Sequence, residues 1–191
     1  THRFGIDGEE RVYDVVTCGY YVPPANELKA SQYFPTPVSV GERLFNLFNL
    51  YGFDTNSTLL EPSAGDGALV RLAIKRGFSK QNVACVERDS AMAEKLTLDG
   101  FTTQCADFLT VQPSQIYSHI AMNPPFRLGQ DIEHVLHAMQ FLSPGGQLAA
   151  IMSYGIMFRT DRRTVAFREF LRQYGQIEEE LFEAFGPAGM Q

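Results

Sequence analysis

From residue 58 onward the chain alternates short apolar runs with segments whose apolar residues follow helical spacing. The apolar runs predict five strands, at 58–61, 82–87, 102–106, 118–122 and 147–153. The amphipathic segments predict helices at 67–75, 90–98, 130–142 and 161–173, and a sixth, glutamate-rich strand is predicted at 177–185. An earlier helix is predicted from Pro37, with Thr36 as its N-cap and Gly52 as its end.

Strands that are apolar throughout are buried on both faces, which is typical of a mostly parallel sheet. Right-handed crossovers then place helices on both sides of that sheet. We therefore predict an α/β, Rossmann-like, doubly wound fold. Ligands in such folds bind outside the carboxyl ends of the strands, so residues with a function should follow strands directly.

Residues 1–30 do not fit this alternation. The segment 11–22 is rich in β-branched and aromatic residues and predicts one or two strands, which could form a β-hairpin, before Pro23-Pro24 interrupts the pattern. We divide the chain into an N-terminal extension, 1–30, and a main domain, 31–191.

Composition narrows the function only moderately. A chain of 191 residues suits one α/β domain with a short extra segment. No apolar run approaches the roughly 20 residues that cross a bilayer, and no signal segment opens the chain, so we expect a cytoplasmic protein without membrane contact. The three Cys are too scattered for a zinc site, and His134 and His137 share a helix face without a further ligand, so no metal is expected.

The loop after the first of these strands is Glu61-Pro62-Ser63-Ala64-Gly65-Asp66-Gly67. Its glycines allow positive φ and a close approach of a ligand to the backbone. A dinucleotide fingerprint would need a third glycine where the chain has Val70. The acidic residues Glu61 and Asp66 would repel a pyrophosphate, whereas they suit a cationic ligand such as a sulfonium with an ammonium group.

Three further segments stand where a ligand would bind. Glu87 ends the second strand, where it can accept hydrogen bonds from ribose hydroxyls or pair with Arg88. Asp107 follows the third strand and can accept from an adenine amino group, while Phe108 can cover the ring. The rigid segment 33–37 enters a helix whose free N–H groups could hold a carboxylate.

The turn after the fourth strand, Asn123-Pro124-Pro125-Phe126, suits methylation of an adenine amine. That nitrogen is a poor nucleophile because its lone pair is delocalised into the ring. The Asn123 side-chain oxygen and the Pro124 carbonyl could accept its two protons, and Pro125 restrains the direction of that carbonyl. Phe126 offers a face on which the base could stack. Positioning would carry the catalysis without a strong general base, and an adenine in a duplex would have to be flipped out.

Taken together, these segments resemble those of the gamma-type DNA methyltransferases that methylate amino groups, and they are most similar to phage- and plasmid-borne adenine methyltransferases. The resemblance is carried by residues 33–37, 61–67, 87, 107–108 and 123–126. The resemblance implies a seven-stranded sheet with a last antiparallel strand, S-adenosylmethionine as cofactor and DNA as substrate. It implies cofactor contacts for Thr36, Glu61, Gly65, Glu87, Asp107 and Phe108, and contacts to the substrate amine for Asn123, Pro124 and Phe126. The residues beside them complete the candidate cofactor set: Tyr33, Ser63, Asp66, Gly67, Arg88 and Asn123.

The chain departs from this family in two respects. We find no room for the separate target-recognition domain that the family usually carries. The chain also stops near Gln191, where the antiparallel strand would stand, so we expect that strand to be incomplete or missing.

A basic strip is predicted beside the chemistry, although the formal net charge of −6 argues weakly against nucleic acid as a partner. Arg127 follows the Asn-Pro-Pro-Phe turn, and Arg159, Arg162 and Arg163 follow the fifth strand, with Arg168 and Arg172 further along. We predict that this strip neutralises phosphates of DNA, or of RNA.

Three alternatives stay open at this point. A ribosomal RNA amino-methyltransferase would carry the same Asn-Pro-Pro-Phe turn. A protein glutamine methyltransferase usually has Tyr where this chain has Phe126. A catalytically silent domain that binds cofactor or a partner is the third. The sequence does not give the oligomeric state.

Overall fold

The computed structural model describes residues 2–6, 9–13, 15–21, 35–49 and 54–178. The strands in this part of the chain are β1 (His2–Ile6), β2 (Glu9–Tyr13), β3 (Val15–Tyr21), β4 (Leu59–Glu61), β5 (Val83–Glu87), β6 (Thr102–Cys105), β7 (Tyr117–Met122), β8 (Leu142–Ser153) and β9 (Gly175–Glu178). The α-helices are α1 (Val38–Asn46), α2 (Ala68–Lys75), α3 (Ser90–Leu98), α4 (Gln130–Ala138) and α5 (Arg162–Tyr174). Short 3-10 turns occupy Lys80–Asn82, Phe108–Thr110, Arg127–Gly129, Met139–Phe141 and Tyr154–Met157.

Seven strands form one sheet in the order β6-β5-β4-β7-β8-β3-β9, and each neighbouring pair runs parallel. From β4 the chain continues outward to β5 and then to β6 at the edge of the sheet. It then crosses back past β4 and forms β7 and β8 on the other side of that strand. The topological switch point therefore lies between β4 and β7. The predicted α/β, Rossmann-like fold is confirmed.

The N-terminal segment contributes to this sheet. β1 and β2 pair with each other in antiparallel fashion, whereas β3 enters between β8 and β9 and runs parallel to both. β3 thus lies in the main sheet, although the sequence assigns it to an extension. No antiparallel strand joins this sheet among residues 2–178 that are described, and the sheet reaches seven strands because β3 supplies one of them.

The sheet separates two apolar cores, because successive side chains of a strand point to opposite faces. On β7, Ile120 and Met122 pack into one core, which includes Ile132 of α4, and Ala121 packs into the other. The second core lies under α1 and α2 and contains Leu44 of α1. Helices on both faces leave the carboxyl ends of the central strands as the exposed edge where a ligand can enter. No helix in the described residues is long and apolar enough to span a membrane.

Several element boundaries differ from the prediction: α1 ends at Asn46 rather than near Gly52, and α4 ends at Ala138 rather than at Leu142. β8 begins at Leu142 rather than at Gln147, because Leu142 pairs with Tyr117 and the four residues 143–146 form an irregularity before Gln147 pairs with His119. The predicted cap of α1 is also wrong: Pro37 is the N-cap and no side chain caps the helix. The hydroxyl of Thr36 is used elsewhere, as described below.

Candidate active site

A cavity of about 420 Å³ opens at the carboxyl ends of β4, β5, β6 and β7, which lies in the size range of small-ligand sites. Predicted cofactor and substrate residues form much of its wall: Thr36, Glu61, Ser63, Gly65, Asp66, Glu87, Arg88, Asp107, Phe108, Asn123, Pro124 and Pro125. Gly67 and Phe126 are not among the lining residues. Tyr33 lies outside the described residues.

The lining is strongly acidic. The described residues of the wall include five carboxyl groups and one cationic side chain, that of Arg88. The carboxyl groups belong to Glu61, Asp66, Glu87, Asp89 and Asp107. A phosphate-bearing ligand would be repelled at close range, and a cationic ligand would be attracted. The electrostatics of the cavity therefore agree with the acidic pattern that the sequence shows.

The glycine-rich loop between β4 and α2 depends on its glycines. Gly65 has a φ of 53° and Gly67 a φ of 88°, both in the left-handed region. A Cβ added at Gly67 would lie 2.6 Å from Leu96 Cδ2 and 2.9 Å from Arg71 Nη1. Gly67 thus serves the packing of α2 against α3 and does not itself line the cavity.

Glu87 is fixed by the backbone of two loops. Its Oε2 accepts from the Gly65 N–H at 2.6 Å, and its Oε1 accepts from the Asp89 N–H at 2.7 Å. The carboxylate therefore ties the glycine-rich loop to the end of β5. A carboxylate oxygen can accept more than one hydrogen bond, so it keeps the capacity to bind a ligand hydroxyl.

Glu61 is a buried carboxyl in the cavity wall, with 1% of its surface exposed. Its Oε1 accepts from the Ser63 N–H at 3.0 Å, while Oε2 has no hydrogen-bond partner among the described residues. Burial raises the pKa of this carboxyl well above its usual range, and the neighbouring Glu87 raises it further, against the opposing N–H groups of Ser63 and Asn123. A cation in the cavity would relieve that penalty.

Asn123 is oriented by a residue far away in the sequence. Its Nδ2 donates to Thr36 Oγ1 at 3.0 Å across a separation of 87 residues. Because the amide is planar, this bond fixes which side of the group carries the oxygen. The chain segment before α1 thereby sets the direction of the predicted acceptor on the turn after β7.

Asp107 and Phe108 serve both the fold and the cavity. Asp107 Oδ1 accepts from the Leu109 N–H at 3.0 Å and caps the 3-10 turn that follows. Phe108 is buried and packs against Phe141 with ring centroids 5.1 Å apart. Both also line the cavity, so their structural role is compatible with the predicted ligand contact, which stays a prediction.

Phe126 lies in a different place from the stacking position that the sequence suggests. It is half-buried and packs against the core under α1 and α2 rather than lining the cavity. Its interaction with a substrate base stays a prediction.

Two buried polar residues of α4 were not assigned a role from the sequence. His134 lines the cavity, where its Nδ1 lies 3.4 Å from Ser63 Oγ, and burial lowers its pKa to about 4 against the nearby Asp107. Asp131 is fully buried and its Oδ2 accepts from the Ser153 N–H at 2.9 Å. Their three-residue spacing on a helix that directly follows the Asn-Pro-Pro-Phe turn was the available signal.

The predicted basic strip divides into two groups. Arg127 and Arg162 are exposed and form no hydrogen bond or ion pair with other described residues. Arg159 donates to Ser153 Oγ at 2.8 Å, and Arg163 donates to the Leu128 carbonyl at 2.7 Å and pairs with Glu133. The sequence predicts the same role for all four. Among residues 35–49 and 54–178, no group of His, Cys, Asp and Glu forms a metal site.

No protein-family model and no curated protein sequence matches this chain. Among solved structures, it is similar to the methyltransferase subunit of a type I restriction-modification system from Streptococcus thermophilus, with 18% identity and a TM-score of 0.61 over 75% of this chain and 39% of that one. It is also similar to a proposed class I S-adenosylmethionine-dependent methyltransferase from Listeria monocytogenes, with 15% identity and a TM-score of 0.57 over 72% of this chain and 51% of that one. A proposed RNA methyltransferase from Pyrococcus horikoshii is similar as well, with 21% identity and a TM-score of 0.54 over 78% of this chain and 72% of that one.

The chain therefore has the fold of class I S-adenosylmethionine-dependent methyltransferases. It spans about two fifths of the length of the restriction-modification subunit and about half of the Listeria protein. At these identities the similarity establishes the fold, and the site has to supply the rest of the argument.

Proposed function

We propose that this protein binds S-adenosylmethionine and transfers its methyl group to the N6 amino nitrogen of adenine in DNA. One observation carries the proposal: Asn123, Pro124 and Pro125 line the same cavity as Glu61 and Glu87. The turn proposed to bind the substrate amine and the acidic wall proposed to bind the cofactor therefore share one cavity.

The residues present fit the cofactor. S-adenosylmethionine carries a sulfonium and an ammonium group, and the cavity has five carboxyl groups in its wall. The buried Oε2 of Glu61, which lacks a hydrogen-bond partner among the described residues, suits a cationic donor. Glu87 is held by two N–H groups in a position to accept from ribose hydroxyls, and Asp107 with Phe108 would hold the adenine.

When bound, S-adenosylmethionine supplies an electrophilic methyl group. The oxygen of Asn123 and the carbonyl of Pro124 would accept the two protons of the substrate amine, which favours a pyramidal nitrogen with an available lone pair. Thr36 holds the Asn123 amide so that its oxygen, and not its NH₂ group, is turned away from α1. Such fixed dipoles stabilise the transition state without reorganising during the reaction.

The one histidine among the described residues that line the cavity is not a strong base. His134 lines the wall, but a pKa of about 4 leaves it neutral and weakly basic at neutral pH. The amine proton becomes acidic once nitrogen carries the methyl group, so release to solvent suffices. The chemistry then rests on positioning.

The test combines cofactor binding with methyl transfer. Calorimetry should show binding of S-adenosylmethionine, and a tritiated-methyl assay should show transfer to unmethylated plasmid DNA as N6-methyladenine. Asn123→Ala should keep cofactor affinity and lose turnover by on the order of a hundredfold or more, the range seen when one oriented polar group is removed from an active site.

Gln104→Ala is the matched control, because Gln104 carries the same amide group on the exposed edge strand β6. This variant should behave as the wild type. Normal methylation by Asn123→Ala would contradict the role given to the amide.

Adenine or another amine in RNA is the second candidate, since the fold is shared with a proposed RNA methyltransferase. Structured RNA and a protein substrate should therefore be offered beside DNA in the same assay. Transfer to RNA alone would move the proposal to RNA, and transfer to protein would favour a glutamine methyltransferase. Cofactor binding without transfer to any of them would favour a catalytically silent domain.

A further inference from the structure

The loop that follows the Asn-Pro-Pro-Phe turn carries one exposed leucine between two residues that line the cavity. The chain lines the cavity at Pro125, leaves it, and lines it again at Gln130. Leu128 lies between these two points and has 82% of its surface exposed. The exposure of a single leucine is ordinary for a protein surface, so the position of Leu128 between two lining residues and its backbone conformation carry the argument.

The backbone at Leu128 is held in an unfavourable conformation. Its φ of 56° and ψ of 22° place it in the left-handed region, and it is the one non-glycine residue with positive φ in the described part of the chain. Such conformations persist only where the surroundings enforce them, and they cluster at functional sites.

Two arginines enforce this conformation. Arg163 Nη2 donates to the Leu128 carbonyl at 2.7 Å, and its Nη1 pairs with Glu133 of α4. A Cβ added at Gly129 would lie 2.7 Å from Arg163 Nη2 and 3.2 Å from Arg159 Nη1, so both guanidinium groups pack directly on the loop. The turn that carries Leu128 is therefore held in place by contacts with Arg163 and Arg159.

The turn that contacts the loop of Leu128 through Arg159 adds an exposed aromatic side chain. Phe158 is 62% exposed and lies edge-on to Tyr154, with ring centroids 5.4 Å apart, on the turn that carries Arg159. Arg127 precedes Leu128 and Arg162 precedes Arg163 in the chain, and both side chains are exposed and make no ion pair with other described residues. This pairing of apolar side chains with uncommitted arginines suits stacked bases flanked by phosphates better than an uncharged apolar partner.

We propose that Leu128 is a wedge that enters the base stack of duplex DNA and occupies the space left when the target adenine swings into the cavity. The inference rests on the proposed function. An adenine amine in a duplex is engaged with the opposite base, so it reaches Asn123 only after unstacking. In other proteins that distort DNA, apolar side chains inserted between base steps unstack those steps and kink the duplex.

The test compares the duplex and single-stranded forms of one unmethylated oligonucleotide, whose sequence is that of a site at which the enzyme methylates plasmid DNA. The ratio of kcat/KM on duplex to kcat/KM on the single strand should fall by about tenfold or more in Leu128→Ala, since flipping a paired base is unfavourable by a few kcal/mol. Leu128→Met, which keeps a long apolar side chain, should restore most of the ratio. Leu98→Ala is the matched control, because Leu98 is 80% exposed on the distant helix α3.

A fluorescence measurement reports flipping directly. With 2-aminopurine at the target position, the wild type should raise the fluorescence of the duplex, and Leu128→Ala should raise it much less. An unchanged ratio in Leu128→Ala, or a wild type that methylates single strands only, would overturn the wedge while leaving the proposed function standing. Transfer by the wild type to neither form of DNA would overturn the proposed function and the wedge with it.

Discussion

Replacing Thr36 by valine tests whether this residue positions the Asn123 amide, for which we propose a catalytic role. Thr36→Val exchanges a hydroxyl for a methyl group of similar size, so packing is nearly conserved while the 3.0 Å bond from Asn123 Nδ2 is lost. The resemblance implies instead that Thr36 contacts the cofactor. The two roles predict different kinetic effects.

The size of the effect follows from the burial of the pair. A donor left without its acceptor destabilises a protein by about 1–3 kcal/mol, and because both side chains are half-buried the lower end, about 1 kcal/mol, applies. For a chain of this size that loss lowers Tm by about 2–4 °C. The same loss of orientation in the transition state slows transfer about fivefold.

Thermal unfolding, calorimetry with S-adenosylmethionine and single-turnover methyl transfer measure the three quantities separately. Thr36→Ser, which keeps the hydroxyl, should return all of them close to the wild type. A variant whose cofactor Kd rises while its transfer rate at saturating cofactor stays normal would refute the positioning role and support a cofactor contact.

Three other predictions follow from buried or strained groups. A cationic cofactor lowers the raised pKa of Glu61, so its affinity should rise with pH until the free carboxyl has ionised, and calorimetry across pH should show a flatter profile in Glu61→Gln. Gly67→Ala should destabilise the fold by about 2 kcal/mol or more in urea unfolding, through its φ of 88° and the contact with Leu96, while an exposed Gly145→Ala should cost less. Arg162→Glu should weaken DNA binding without lowering Tm. Arg163→Glu should lower Tm as well, since of these two arginines only Arg163 binds the loop. Equal Tm values of the two variants would show that the two arginines are equivalent.

The position of the site could be predicted because it depends on topology. In a parallel sheet every strand ends at the same edge, so residues that follow strands, such as Glu61, Glu87, Asp107 and Asn123, had to meet there. The acidic character of the loop was visible in the same residues. The fold class and the part of the cavity wall at the strand ends were thus available from periodicity and strand ends, whereas His134 on α4 was not.

Contacts that join distant segments could not be predicted in this way. The pairing of β3 between β8 and β9 joins residues more than a hundred positions apart, and the apolar pattern of β3 gives no partner. The bond between Thr36 and Asn123 likewise crosses 87 residues, and the favoured local role of Thr36 was a helix cap. Long-range partners compete with local preferences and leave no periodic signal.

The arginines near the Asn-Pro-Pro-Phe turn illustrate this limit. A sequence shows that a side chain is charged, but it does not show whether that side chain already binds another group of the protein. Arg159 and Arg163 clamp the loop, Arg168 donates to the carbonyls of Ile156 and Arg159, and Arg172 pairs with Glu169. Arg127 and Arg162 are left without partners among the described residues. Each phosphate neutralised contributes about −0.9 to the slope of log K against log salt, so two contacts give a slope near −2 where the whole strip would give about −5. If the protein binds DNA as proposed, a net charge of −6 with two such arginines requires affinity from another source, and the exposed side chains of Leu128 and Phe158 can supply it by contact with bases.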